Sequence, residues 1–248
     1  MVIRDWSSDV CSSDLLKNPP AGYVPEGYTP PAPAASASGA PAAEVTPKSC
    51  ILSGQFFLMW IIFFCNITAG IGIIGFQSVM MQDLLGKYDA TLTTEQLVSY
   101  GAWLIAITSI FNGVGRFFWA SLSDKIGRTN AFRALLGTQV IAFLALTQIS
   151  NPWIFGAVFC YILLCYGGGF GTMPSFVSDV FGSKVMGVVY GTMLTAWSFA
   201  GVAGPVLFAY VKDNYKADAS LYSFYIATGF LLLGFIVSLI LRKEKAKA

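Results

Sequence analysis

Six stretches of the chain are almost continuously apolar: Gly54 to Met81, Leu97 to Leu122, Ala131 to Ile149, Trp153 to Met173, Val185 to Val211 and Leu221 to Leu241. At about 1.5 Å per helical residue, each reaches roughly across the ~30 Å hydrocarbon layer of a bilayer. In lipid the backbone finds no water, so a spanning segment satisfies its own hydrogen bonds as a helix. The pattern predicts an all-α membrane protein with six transmembrane helices, surrounded by the lipid bilayer. Composition agrees, with 55% hydrophobic and 11% charged residues and a mean hydropathy of +0.64, values foreign to a soluble domain of this size.

The chain before these stretches divides in two. Residues 1–15 contain the run Asp-Trp-Ser-Ser-Asp-Val-Cys-Ser-Ser-Asp-Leu from Asp5 to Leu15, which looks like a translated sequencing-library adapter joined in frame to a partial gene. It has neither a signal-peptide core nor a helical period. The expectation is a chain cut short at its N-terminal side, a genuine polar tail being the alternative. Residues 16–49 hold eight of the eleven prolines and favour extended, polyproline-like conformations over a packed core. They read as a Pro/Ala-rich cytoplasmic linker leading into a bundle at residues 50–248.

The net charge of +2 says little, and no nucleic-acid partner is expected; where the charges fall says more. With the first stretch starting inside, ten lysines and arginines (Lys17, Lys48, Lys125, Arg128, Arg133, Lys184, Arg242, Lys243, Lys245 and Lys247) lie on the cytoplasmic side. Three, Lys87, Lys212 and Lys216, lie outside. The positive-inside rule then predicts a multi-pass protein of the cell membrane with both ends of this chain in the cytoplasm.

Candidate chemistry is sparse. The chain has no histidine, which removes Ser-His hydrolase, bis-His haem and His-ligated metal sites built from these residues. Cys50, Cys65, Cys160 and Cys165 have no metal-ligand spacing. No Asp or Glu lies within the six stretches, so neither an aspartyl protease nor another acid-base enzyme is expected, and no cofactor or metal. A proton carrier is likewise missing from them.

Apart from Arg133 at the margin of the third stretch, Arg116 is the only charged side chain within them. It continues Thr108 and Asn112 at helical spacing, with Ser109 alongside. A central arginine costs about 2.5–3.5 kcal/mol to insert, and a charge-assisted hydrogen bond returns roughly 1.5–3 kcal/mol. Its planar fork suits a carboxylate. Arg116 is therefore expected to turn inward onto an anion, with Asn112 beside it. The rival reading is that it snorkels to the surface past Leu122, roughly 9 Å along the helix. Tyr166 and Phe170 lie one turn apart, and Tyr190 and Trp197 two turns apart, as pocket walls or as plain packing. Asn66, Gly70 and Gln77 share a face of the first stretch and suit either a hydrated path or helix contact. Gly187, Gly191, Gly201, Gly204 and Pro205 suit close helix contact and a bend.

Between the second and third stretches, Ala120-Ser121-Leu122-Ser123-Asp124-Lys125-Ile126-Gly127-Arg128 resembles the cytoplasmic-loop signature of the major facilitator superfamily, Gly-x-x-x-Asp-Arg/Lys-x-Gly-Arg, with Ala120 in place of the first glycine. The resemblance implies one half of a twelve-helix fold built from inverted three-helix repeats. The preceding linker then makes this the C-terminal half, its partner a missing N-terminal six-helix half. Asp124, Lys125, Gly127 and Arg128 would govern gating.

Lys17-Asn18-Pro19-Pro20-Ala21-Gly22-Tyr23, Tyr166 to Thr172 and Tyr190 to Trp197 are similar to segments of the oxalate/formate antiporter family. Gly115-Arg116-Phe117-Phe118 is similar to the arginine segment of monocarboxylate porters. The resemblance implies an anion ringed by Tyr166, Phe170, Tyr190 and Trp197, with Asn66 and Gln77 along the path. Trp197 is a departure, because oxalate-exchanging members place a lysine there in a Thr-Ala-Lys pattern. One cation neutralises a monoanion, whereas a dianion in low dielectric favours two. The substrate expected is a small carboxylate of the lactate, pyruvate or formate class, moved by alternating access. Oxalate/formate-type exchange and a six-helix membrane sensor or scaffold are the alternatives.

Overall fold

The computed structural model describes residues 46–241, without the side chain of Ala217. The adapter-like segment, all of the Pro/Ala-rich segment up to Val45 and the basic residues from Arg242 onward lie outside the described residues. A short helix α1 (Pro47–Ile51) begins within the last residues of the expected linker, with Thr46 as its cap and proline in its first turn.

The first apolar stretch forms two helices, α2 (Gly54–Ile74) and α3 (Gln77–Tyr88), which meet at Gly75 and Phe76. Ser53 caps α2 by accepting from the N–H of Phe56 at 3.2 Å. The second is one helix, α4 (Thr94–Ile126), opened by a capping box between Thr93 and Gln96. Next come α5 (Arg128–Leu146) and α6 (Pro152–Phe181), the latter started by Asn151 and proline. The fifth stretch also divides, into α7 (Met186–Met193) and α8 (Thr195–Tyr215), and α9 (Ala219–Ile240) follows a short 3-10 turn. No strand occurs among the described residues. Among the described residues, six helical segments, α7 and α8 counted together, are long and apolar enough to cross a membrane.

α2 lies between α8 and α9, α5 packs on α9, and α4 packs chiefly on α6. Lipid tails are as apolar as leucine, so close packing rather than escape from water holds such helices together. Phe63, Phe132, Phe143, Phe159 and Phe176 are fully buried, with Phe132 stacked on Phe176 at 5.6 Å. Where α4 meets α6 the backbones themselves touch. A Cβ on Gly115 would meet the Cα of Leu164 at 2.8 Å, and one on Gly171 would meet the Cα of Arg116 at 2.8 Å. Gly167 and Gly171, four residues apart on α6, thus seat α4 in the manner of a small-xxx-small contact.

Two expectations need correction. Gly187, Gly191 and Gly201 have nothing within 4 Å of a built Cβ, and only Gly204 of that group sits in close contact, against Ile71 and Gly72. The break in the fifth stretch comes at Leu194, while Pro205 lies inside α8. There the Thr195 hydroxyl donates to the Thr192 carbonyl at 2.7 Å and competes with the helix ladder.

Candidate functional site

α4 and the α7–α8 pair are the least enclosed helices of the bundle, and α4 carries Arg116. Advancing four residues turns a helix by about 40° past a full circle, so Thr108, Asn112 and Arg116 drift by about 80° around α4. Thr108 therefore points inward, 1% exposed, and donates to Gln77 at 2.9 Å. Asn112 is half-buried, its Oδ1 set against Gly167 without a hydrogen-bond partner. Arg116 emerges on the open side. α4 continues beyond the expected end to Ile126, so roughly 15 Å of helix separates Arg116 from that terminus.

The guanidinium of Arg116 lies 5.8 Å from the ring centroid of Phe170, within cation–π range. Phe170 is the hub of an aromatic cluster. Tyr166 meets it edge-on at 5.4 Å, Trp197 at 6.3 Å and 88°, and Phe63 at 5.1 Å and 70°. Both Tyr166 and Tyr190 lie within electrostatic reach of Arg116. The Tyr166 ring is itself seated over Gly70, where a Cβ would meet Tyr166 Cε2 at 2.9 Å. The structure thus brings together Arg116, Tyr166, Phe170 and Trp197 from α4, α6 and α8, with Tyr190 of α7 joined to them only through the charge of Arg116. Chemically, such a group offers one delocalised cation beside π faces and tyrosine hydroxyls, which accommodates a small anion with an apolar body.

Asn66 and Gln77 stand elsewhere. Asn66 is fully buried and accepts from Gln139 Nε2 at 2.9 Å, and Gln77 is 2% exposed against Thr108. With Gly70 under Tyr166, α2 packs here against α5 and α6, and Gln77 at the start of α3 packs against α4. Gln139 and Phe63 were not picked out from the sequence. A buried amide in the third stretch, matching Asn66 in the first, was the available signal for Gln139; Phe63 had none among so many phenylalanines.

The loop residues form a second assembly. Gly127 takes φ +85°, a conformation that only glycine adopts freely, and joins α4 directly to α5. Asp124 near the C-terminus of α4 and Arg128 at the start of α5 each oppose the local helix dipole. They offset one another in an ion pair of 2.5 Å. Arg128 also donates through Nε to Asp179 Oδ2 at 3.1 Å, through Nη1 to the Ala120 carbonyl at 3.4 Å, and to Ser123 Oγ. Asp179 ties this turn to the end of α6, which Gly182 closes with φ +94°. Lys125 is exposed in the last turn of α4, where a cation suits the dipole. Asp179 escaped the sequence reading because α6 runs on past Met173 to Phe181 and carries a carboxylate into the helix end.

The chain is similar to the oxalate:formate antiporter of Oxalobacter formigenes, 28% identical over 65% of this chain and 37% of that protein. It is 32% identical to apicoplast pyruvate carrier 1 of Toxoplasma gondii over 60% of this chain and 27% of that protein. It is 30% identical to the sialic acid transporter NanX of Escherichia coli K12 over 52% of this chain and 33% of that protein. The matched part thus spans 27–37% of the length of these relatives. The Major Facilitator Superfamily matches residues 20–205, from ahead of α1 to within α8, and the chain belongs to that family of transporters.

Proposed function

We propose that this bundle moves a small monocarboxylate across the membrane, working by alternating access together with a companion N-terminal six-helix half. Arg116 is the anion contact, and Tyr166, Phe170, Tyr190 and Trp197 enclose the rest of the substrate. The observation that carries this reading is the Arg116 guanidinium held 5.8 Å from Phe170, in the middle of that aromatic group. Oxalate, formate, pyruvate and sialic acid, named for relatives, are all carboxylates. Arg116 is the one cation of the cluster among the described residues, and a single charge neutralises a monoanion rather than a dianion. Lactate, pyruvate and formate fit that condition, and oxalate/formate-type exchange is the alternative if the companion half adds a second cation. The membrane is the cell membrane, with both ends of this chain in the cytoplasm, on the ten-to-three distribution of basic residues. The Asp124–Arg128–Asp179 network then sits on the cytoplasmic side and holds α4, α5 and α6 together while the halves rock. Asn112, Asn66 and Gln77 support the helices that carry the site.

The test is uptake of labelled lactate, pyruvate and formate into vesicles by the complete carrier. Arg116→Ala is expected to insert normally and to weaken uptake about ten- to a hundredfold, the worth of a charge-assisted hydrogen bond. Arg116→Lys keeps the charge without the fork and is expected to fall between. Undiminished uptake by Arg116→Ala at equal insertion refutes the assignment.

A further inference from the structure

At the end of the bundle away from the Asp124–Arg128 turn, a cavity of about 260 Å³ opens between α3 and the connections joining α5 to α6 and α8 to α9. It has no wall residue in common with the Arg116 cluster. Lys87, Lys212 and Lys216 stand around it with Asp83 and Asp218, all five exposed. Among the described residues none of the five is drawn into an ion pair. Lys212 instead holds its ammonium 5.4 Å from the Phe76 ring centroid, along the apolar wall. Asp83 and Lys87 share a face of α3 and offset one another, which leaves Lys212 and Lys216 facing Asp218 with a net positive charge.

Two further features shape the site. Ser223, at 3% exposure, is the most enclosed polar side chain of the cavity wall. Lys216 is the one non-glycine with positive φ among the described residues, at +32°, so its backbone is held in a sparsely populated region at the cavity edge. The cavity is slightly below the ~300 Å³ at which pockets for drug-sized ligands begin, and its inner wall includes Phe155 and Phe208. That space suits a headgroup with a short apolar chain.

We propose that this cavity binds an anionic amphiphile, with its carboxylate or phosphate on Lys212 and Lys216 and its chain along Phe76 and Phe155. Two sources carry that chemistry: a membrane lipid, or a free carboxylic acid with an alkyl chain. The site is independent of the Arg116 reading. Calorimetric titration of the full chain in a neutral detergent, with dihexanoyl phosphatidic acid, hexanoate and inorganic phosphate as separate probes, tests it. At least one of the two amphiphiles is expected to bind at least tenfold more tightly than phosphate. Tighter binding of the phosphatidic acid identifies the membrane as the source, and tighter binding of hexanoate identifies the free acid. Lys212→Gln/Lys216→Gln is expected to weaken binding at least tenfold, and Arg116→Ala to leave it unchanged. Ser223→Leu, which fills the cavity without touching the charges, is expected to exclude the chain and reduce binding to the level of phosphate. The proposal is overturned if neither amphiphile binds, if phosphate binds as tightly, if the lysine variant or the Ser223 variant binds like the parent, or if Arg116→Ala removes the binding.

Discussion

Gly171 lies directly against the backbone of Arg116, where a methyl group would come within 2.8 Å of the Arg116 Cα. Backbone cannot swing aside as the tip of a side chain can, so Gly171→Ala forces α4 away from α6. Overpacking of this kind costs about 1–3 kcal/mol. Gly201→Ala, with nothing within 4 Å, is the control and is expected to be neutral or slightly stabilising. Thermal unfolding in detergent should separate the two variants. In the complete carrier, Gly171→Ala should also weaken apparent substrate affinity, because it moves the backbone that presents the guanidinium. Equal stability of the two variants would sink the seam argument.

Trp197 meets Phe170 edge-on at 6.3 Å and is 48% exposed, so a longer, thinner side chain fits there without crowding the core. Trp197→Lys adds a second cation beside Arg116. Competition by oxalate against uptake of a labelled monocarboxylate is expected to strengthen by about tenfold or more, the return of one charge-assisted hydrogen bond. An unchanged preference between dianion and monoanion would remove the charge-counting basis of the substrate reading.

Most of the helical frame was legible because apolar length reports directly on the membrane. The two divisions, at Gly75–Phe76 and at Leu194, were not, since neither interrupts the apolar run. At the second, the Thr195 hydroxyl bonds back to the Thr192 carbonyl, a choice that threonine makes only in context. Within the site, spacing alone paired Tyr166 with Phe170 and Tyr190 with Trp197. It could not place Tyr166 and Trp197 on one hub, because that contact depends on how α6 and α8 pack. The polar positions of the first stretch were ambiguous for the same reason: Asn66 of α2 and Gln77 of α3 are held by Gln139 and Thr108, which lie far away in sequence.

Arg128 is 12% exposed at its side chain and bridges two aspartates that differ in exposure, Asp124 at 64% and Asp179 at 25%. Solvent screens the first pair more strongly, so Asp124→Asn should cost well under 1 kcal/mol. Asp179→Asn removes the more enclosed partner and is expected to cost about 1–2 kcal/mol. Arg128→Ala leaves both carboxylates, the Ser123 hydroxyl and the end of α6 without their shared partner, and should be the most destabilising of the three. Denaturation midpoints in one detergent check the order. A larger loss for Asp124→Asn than for Asp179→Asn would overturn it.

Between α3 and α4, Asp89 accepts from the Thr91 hydroxyl at 2.6 Å and from its N–H at 2.9 Å. These bonds hold its carboxyl below the ordinary value of 3.8. A group depressed in the folded state stabilises its turn above the unfolded pKa and loses that contribution as pH falls through the folded value. The Thr91 amide resonance should therefore stay constant through neutral pH and move only below about pH 4. Thr91→Ala should bring the titration of Asp89 back up toward the ordinary value. A midpoint unmoved by Thr91→Ala would show that the turn does not set it.

The Asn66–Gln139 pair can separate packing from substrate contact. Both side chains are fully buried and joined at 2.9 Å, yet Asn66 Nδ2 and Gln139 Oε1 have no hydrogen-bond partner. Gln139→Leu strands a whole amide and should destabilise by about 1–3 kcal/mol. Replacing both by leucine removes the stranded group as well, so the double variant should be less destabilised than the sum of its parts. Coupling between buried polar groups in membrane helices averages about 0.6 kcal/mol and reaches about 1.7 kcal/mol, and the complete enclosure of this pair favours the upper part of that range. If Asn66 acts only by joining α2 to α5, uptake by the complete carrier should follow stability and return in the double variant. If stability returns and uptake does not, Asn66 reaches the transport path in some state of the cycle. Additive losses, within about 0.3 kcal/mol, would show that the bond joining the two helices does not couple them.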